Sequence, residues 1–222
     1  MPRFAAGVVR FQNEVFPEKR ALFEKLAEGQ TPEALFITCS DSRIETAMIT
    51  QTEPGELFIV RNAGNIVPPH VVNAGGNTAS IEFAVAALNV PHVVICGHTG
   101  CGAMAALMKP ALSADMPHIR EWLGFATGAL DYVREHGKDL DEDARIAMLT
   151  EQNVILQLAH LKTHPAIMTR IEKGDIQLHG WVYDIKSGGV DSYDDASGKF
   201  QPVDIRYAAE MAALATKDGC GG

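Results

Sequence analysis

Short apolar runs alternate with amphipathic stretches along the first half of the chain. Three runs, at 34–38, 57–60 and 93–96, have the length of buried strands. Residues 14–29 and 78–88 have the periodicity and composition of helices, and each lies before one of these runs. Strand, helix and strand with compact connections favour parallel pairing. We therefore expect an α/β fold with a mostly parallel central sheet flanked by helices.

The second half of the chain is predicted to be mostly helical. Acidic residues in a first turn and proline or glycine after a last turn mark helix ends there. An alternating pattern before the turn at 187–189 indicates one more strand. The predicted helices and strand lie at 141–161, 166–173, 207–214 and 176–185.

No repeat, low-complexity tract or linker divides the sequence. We therefore predict a single domain over residues 1–222, which is an ordinary size for one core. Within it we expect an N-terminal helical arm over about residues 1–30 and a C-terminal extension over about residues 190–222.

Composition excludes several classes of protein. The formal charge of −9 argues against nucleic acid as a partner, because phosphate neutralisation needs a basic surface. No apolar run approaches the roughly 20 residues that span a bilayer, and the first residues lack the pattern of a secretory signal. We expect a cytoplasmic protein without a membrane partner. Its four cysteines would then stay reduced and serve in burial, metal binding or catalysis.

Three predicted strands end in polar, glycine-rich turns. The turns carry Cys39, the segment 61–65, and His98 with Cys101. Ligands of open α/β sheets bind beyond the carboxyl ends of the strands, so these residues would converge if the strands are neighbours. Two thiolates and an imidazole suit zinc, and three protein ligands leave a fourth position for water, as in catalytic sites. The sequence therefore predicts one Zn²⁺ per chain.

Each of these residues also has a simpler interpretation. A cysteine after a strand is more often core than ligand, and a lone histidine in a loop is usually solvated. Asp41 and Arg43 could form only a turn-stabilising ion pair. The glycines could serve a tight turn, and their order is not that of a dinucleotide-binding loop. The coincidence of Cys39, His98 and Cys101 at strand ends is what favours metal binding.

Two motifs resemble the signatures of a known family. Cys39-Ser-Asp-Ser-Arg43 and His98-Thr-Gly-Cys101-Gly are similar to the paired motifs of the β-class carbonic anhydrases. The resemblance continues in Gln30-Thr-Pro, Glu53-Pro-Gly-Glu-Leu-Phe58, Arg61-Asn-Ala-Gly-Asn65, Ile81-Glu-Phe-Ala-Val85 and His179-Gly-Trp-Val-Tyr183. It covers most of residues 14–186, whereas about 110–145 and the tail after 190 match nothing diagnostic.

The resemblance implies reversible hydration of carbon dioxide to bicarbonate and a proton. Zinc would supply hydroxide at neutral pH, and Asp41, paired with Arg43, would orient it as the catalytic pair. The resemblance assigns substrate binding to four further residues, although the two phenylalanines could equally be plain core: Gln30, Phe58, Phe83 and Gly102.

The resemblance also bears on assembly and regulation. It implies self-association as a dimer or a higher even oligomer, in which the N-terminal arm embraces the partner. In some members the aspartate closes the site by moving onto zinc, and bicarbonate binds a pocket built with a tryptophan, an arginine and a tyrosine. Phe36 stands at the tryptophan position here, beside Arg61 and Tyr183, which favours a permanently open site.

Two other functions remain open from sequence. A carbonyl sulfide or carbon disulfide hydrolase of the same fold would use the same zinc, Asp41 and Arg43. A catalytically silent zinc-binding protein would lack Asp41 or Arg43, and both residues are present.

Overall fold

Six strands form one mixed sheet in the computed structural model, which describes residues 1–71 and 75–218. The strands are β1 (Ala34–Cys39), β2 (Leu57–Asn62), β3 (His92–His98), β4 (Gln177–Tyr183), β5 (Val190–Asp194) and β6 (Lys199–Pro202). Their order is β2-β1-β3-β4-β5-β6; the first four are parallel, and β5 and β6 pair antiparallel at one edge. The predicted α/β class and mostly parallel sheet are confirmed.

Helices flank this sheet and form the N-terminal region. They are α1 (Pro2–Arg10), α2 (Phe16–Glu18), α3 (Arg20–Ala27), α4 (Thr46–Thr50), α5 (Gly76–Glu82), α6 (Gly102–Met108), α7 (Pro117–Leu123), α8 (Thr127–His136), α9 (Glu142–Leu161), α10 (Pro165–Lys173), α11 (Val203–Arg206) and α12 (Ala208–Asp218). Short π-helical turns at Phe11–Val15 and Phe83–Ala87 continue α1 and α5. Asp141 caps α9 by accepting a hydrogen bond from the Ala144 N–H.

The core lies against both faces of β1 and β3. All six residues of β1 are buried, and alternate side chains point to opposite faces of the sheet. Helix α9 packs against one face at close range: a Cβ added at Gly97 would lie 2.9 Å from Val154, and one at Gly180 would lie 2.8 Å from Val154 and Leu158. Glycine at these two positions therefore lets helix α9 lie directly on β3, which carries His98, and on its neighbour β4.

The structure differs from the sequence prediction at both ends of the chain. The N-terminal helix begins at Pro2 rather than near residue 14, and it is interrupted at Lys19, whose φ of −102° and ψ of 15° are not helical. The predicted C-terminal extension contributes β5 and β6 to the sheet. These strands are short and polar, so their apolar periodicity is too weak to identify them. Cys220 lies outside the described residues.

The N-terminal arm presents apolar side chains to solvent. Phe4, Val8 and Val9 of α1 are each more than half exposed. An apolar helical stripe of this kind is typical of a surface that binds a partner. Within the described residues, no helix is both long and apolar enough to cross a bilayer.

Candidate metal centre

The carboxyl ends of two neighbouring strands bring three metal-binding side chains together. Cys39 is the last residue of β1, His98 is the last residue of β3, and Cys101 follows in the turn before α6. Their ligand atoms all lie within 4.8 Å of one another, and the two sulfurs are 4.0 Å apart. The three residues are 5%, 0% and 1% exposed. The structure therefore assembles the three residues that the sequence predicted as ligands.

The hydrogen bonds of His98 leave one ring nitrogen available. The Thr99 carbonyl lies 2.9 Å from Nδ1 and can only accept, so Nδ1 carries the proton and Nε2 the lone pair. Within the described part of the chain, buried Nε2 has no hydrogen-bond partner. An unpaired buried nitrogen is costly unless something binds it, and this one lies within 4.8 Å of both sulfurs. Coordination to a metal ion would satisfy this nitrogen.

The contact between the two thiols shifts their pKa values in opposite directions. Contact with the Cys101 thiol, assisted by His98 and the Gly64 N–H, lowers the pKa of Cys39 to about 4 against the opposing effect of burial. The hydrogen bond with Cys39, together with burial, raises the pKa of Cys101. A cation bound between the two sulfurs would stabilise both as thiolates. Two sulfurs about 2.3 Å from a tetrahedral zinc would be roughly 3.8 Å apart, close to the observed spacing. The donor set fits zinc.

Asp41 lies beside this cluster and forms a two-point ion pair with Arg43. Nε and Nη2 of Arg43 donate to the two carboxylate oxygens at 2.9 and 2.7 Å, and Nη2 also donates to the Gly100 carbonyl at 3.0 Å. Arg43 holds the pKa of Asp41 well below its usual range. Oδ2 of Asp41 is 3.9 Å from Nε2 of His98. An ionised carboxylate therefore stands at the edge of the ligand cluster without entering it.

Arg61 fixes the loop that carries Asp41. Its guanidinium donates to the carbonyls of Cys39, Asp41 and Ile44 at 3.1, 2.8 and 2.8 Å. The resemblance matched Arg61 to the arginine of the bicarbonate pocket of some members, in which Phe36 here stands at the tryptophan position. In the structure Phe36 is buried edge-on against Trp181, with ring centroids 5.9 Å apart. Arg61 supports the loop of the site directly, a role that the sequence motif did not reveal.

The candidate substrate residues are divided between the two ends of the sheet. Gly102 begins α6 directly after Cys101. Phe58 pairs with Leu35, four residues before Cys39, which places it about 13 Å from the ligands along the strand. Phe83 lies against Phe58 with ring centroids 6.0 Å apart, and Gln30 precedes the amino end of β1. The structure does not bring Gln30, Phe58 or Phe83 to the metal centre of their own chain.

Two residues near the ligands were missed by the sequence analysis. Trp122 of α7 donates to the Ala63 carbonyl at 2.8 Å, and Asn153 of α9 donates to the Gly64 carbonyl at 3.0 Å. Asn153 lies on the buried face of a helix. A polar residue among apolar ones was the sequence signal that could have identified it, because buried amides need hydrogen-bond partners. Trp122 lies in the stretch 110–145 that carried no diagnostic motif.

Comparisons with known proteins agree with this geometry. The family model described as carbonic anhydrase matches residues 34–190. A carbonic anhydrase of Pseudomonas aeruginosa is 46% identical over 215 residues, covering 96% of each chain. The solved structure of the beta-carbonic anhydrase CcaA has a TM-score of 0.89 at 40% identity and covers 91% of each chain. One of two tetrameric beta-carbonic anhydrases from Sordaria macrospora has a TM-score of 0.64 at 32% identity, covering 86% of this chain and 92% of that one.

The family match spans the four parallel strands and all three cluster residues, and the similarity to the Pseudomonas aeruginosa enzyme extends over nearly the whole chain. The sequence motifs, the fold and the buried cluster lead to one conclusion. This chain belongs to the β-class carbonic anhydrases, a family of carbon dioxide-hydrating enzymes.

Proposed function

We propose that this protein catalyses the reversible, zinc-dependent hydration of carbon dioxide, with Cys39, His98 and Cys101 as the ligands of one zinc ion per chain. The observation that carries the proposal is the buried Nε2 of His98 beside two thiols, which has no hydrogen-bond partner among the residues that the structure describes. Family membership supports the reaction, and the Asp41–Arg43 pair supports catalysis over a purely structural metal.

Each residue of the site has a distinct task in this proposal. Zinc bound there supplies Lewis acidity that makes water a nucleophile near neutral pH. Asp41 stays ionised and accepts a hydrogen bond from the attacking water, which directs a lone pair of that water at the carbon of the substrate. Arg43 holds Asp41 away from the ligand cluster and fixes its orientation through two hydrogen bonds.

The thiolates also set the working pH. Cys39 and Cys101 contribute negative charge to the metal, whereas a site of neutral imidazoles would not. The metal is then a weaker Lewis acid, so we expect activity to rise between pH 7 and 9. Asp41 is bound by Arg43 and not by the ligand cluster, which supports a site that stays open to water at the fourth metal position across that pH range.

We propose further that a second copy of the chain completes the substrate pocket. Gln30, Phe58 and Phe83 lie at the amino end of the sheet, too far from the ligands of their own chain. The exposed apolar stripe of α1 and the tetrameric relatives support self-association. Phe58 and Phe83 of one chain would then form an apolar wall for carbon dioxide near the metal of the other chain, which lies beside that other chain's own Gly102.

Stopped-flow carbon dioxide hydration on metal-analysed protein tests the proposal. We expect about one zinc per chain and turnover that rises from pH 7 to 9. Cys101→Ser should lose both, whereas Cys96→Ala, which changes a buried cysteine outside the cluster, should keep both. Zinc-replete protein that is inert toward carbon dioxide over this range would contradict the proposal. Rates on carbonyl sulfide would then identify a hydrolase of the same fold.

A further inference from the structure

A single peptide unit connects Trp122 to a ligand sulfur. The peptide between Ala63 and Gly64 uses both of its polar groups: its N–H donates to Sγ of Cys39 at 3.4 Å, and its carbonyl accepts from Nε1 of Trp122 at 2.8 Å. The mechanism proposed above uses neither contact. The two hydrogen bonds form a continuous chain from the indole to the metal centre.

The planarity of the peptide makes these two contacts interdependent. In a trans peptide the C=O and N–H groups are held in one plane and point in opposite directions. The hydrogen bond from Trp122 to the Ala63 carbonyl therefore fixes the direction of the Gly64 N–H. It also polarises the peptide, which strengthens the hydrogen bond that the N–H makes to sulfur.

Contacts on the carbonyl side of Gly64 also hold this segment in an unusual conformation. Gly64 has φ +82°, and a Cβ there would lie 3.1 Å from Ala103 and Met104, so the position requires glycine. Asn153, itself 1% exposed, donates to the Gly64 carbonyl at 3.0 Å, and Gln157 donates to Asn153 at 2.8 Å. Buried amides are costly unless they are hydrogen-bonded. The side chains of Asn153 and Gln157 meet this need by bonding to each other and to the loop at Gly64.

We propose that Trp122 is a positioning residue of the metal centre: through the Ala63–Gly64 peptide, its indole N–H sets the hydrogen bond that Cys39 sulfur accepts. The inference rests on the proposed zinc site. A hydrogen bond to a ligating thiolate draws charge away from sulfur, and contacts of this kind tune metal affinity and Lewis acidity. Trp122 therefore acts on the metal without touching it.

The competing interpretation is a purely structural tryptophan. Trp122 packs edge-on against Phe125, with ring centroids 5.8 Å apart. If packing were its only role, replacing the indole by another aromatic ring would change stability alone. Trp122→Phe removes the N–H and keeps an aromatic ring. Trp181→Phe is the matched control, because that indole donates to Tyr207 at 3.3 Å, away from the cluster.

NMR of ¹³C- and ¹⁵N-labelled protein loaded with ¹¹³Cd²⁺ measures the hydrogen bond directly. In the wild-type protein we expect scalar coupling between ¹¹³Cd and the Gly64 amide proton, transmitted through Cys39. Trp122→Phe should abolish or reduce that coupling and move the Gly64 amide resonance upfield, whereas Trp181→Phe should change neither. In the zinc form, Trp122→Phe should lower metal affinity roughly tenfold, the low end for residues that support metal ligands, and raise the pH midpoint of carbon dioxide hydration.

Absence of coupling to Gly64 in the wild type, or coupling unchanged in Trp122→Phe, overturns this inference and leaves the metal site standing. Cadmium that binds without shifting the Cβ resonances of Cys39 and Cys101 overturns the metal site and the inference with it. Should Trp122→Phe fail to fold, replacing Trp122 with benzothienylalanine keeps the shape of the indole and removes only the N–H. Loss of the coupling in that protein supports the inference, and its retention overturns it.

Discussion

The two ends of strand β3 each carry a histidine, and their surroundings differ. At the carboxyl end, His98 has one nitrogen on a carbonyl and the other unpartnered within the described chain. At the amino end, His92 meets Nε2 of His179 at 3.2 Å, and Nδ1 of His179 meets the Tyr207 hydroxyl at 2.9 Å. His98 is fully buried and His179 half-buried, and both ring nitrogens of His179 have partners, so the free nitrogen beside two sulfurs is what distinguishes a candidate ligand from a structural histidine.

Replacing the histidine at each end of β3 in turn tests whether only the carboxyl end binds metal. His98→Ala should lose zinc and with it more than a thousandfold in activity, because removing one of three ligands leaves the ion poorly held. His92→Ala should keep zinc and activity. Metal analysis and stopped-flow hydration of both variants measure the difference. Zinc retained by His98→Ala would show that the unpartnered nitrogen is not a ligand.

Asp41 separates metal binding from catalysis at the carboxyl end. Asp41→Asn should keep zinc and lower kcat about a hundredfold or more, because the amide lacks the charge that orients the attacking water. Asp131→Asn changes a carboxylate in an exposed ion pair on α8 and should leave the rate unchanged. Near-normal turnover in Asp41→Asn would remove Asp41 from the mechanism.

We expect the histidines at the amino end of β3 to make the stability of the protein depend on pH. Burial, with His92 and Arg206 nearby, lowers the pKa of His179 to about 4. The unfolded chain takes up a proton near pH 6.5 and the folded chain does not until about pH 4. Stability is therefore complete above pH 6.5 and falls by about 2–3 kcal/mol as the pH drops to 4.

His179→Gln should flatten that decline. Urea unfolding of the wild type and of His179→Gln at pH 7 and pH 5 measures the two slopes, and acid release of metal affects both proteins alike. Equal slopes would mean that His179 is protonated in the folded protein as readily as in the unfolded chain.

We expect the smallest effect, a change in zinc affinity, from replacing Thr99, which supports the ring of His98. The Thr99 hydroxyl donates to Asp184 at 2.9 Å and accepts from the Ile185 N–H, which fixes the carbonyl that holds the ring of His98. Thr99→Val removes the hydroxyl and keeps the shape of the side chain. Zinc affinity should fall about tenfold, as competition with a chromophoric chelator would measure. An unchanged affinity would show that the main chain alone orients the ring.

The sheet and the ligand cluster were predictable because their signals are local. The apolar runs before Cys39 and His98 identify β1 and β3, and two parallel neighbours must end at the same edge. The resemblance to a family supplied the role of Asp41, which spacing alone left as an ion pair.

The supporting layer was not predictable because its contacts join residues distant in sequence. Arg61 binds carbonyls around 20 residues earlier, and Trp122 and Asn153 bind the loop at 63–64 from separate helices. Main-chain acceptors leave no trace in residue identity, so only the assembled fold shows them. Strands β5 and β6 were missed for another reason, since their pairing at the sheet edge needs little apolar pattern.

The contact from Arg43 to the Gly100 carbonyl joins the two turns that carry the cluster. Together with the hold of Arg61 on the loop after Cys39, it keeps the turns in register by bonds within the protein. A small zinc-binding module often folds only when metal arrives, so that ordering the chain is part of its binding energy. Here the scaffold is assembled by the sheet itself, and a chelator should empty the site reversibly, with the folded protein ready for reloading.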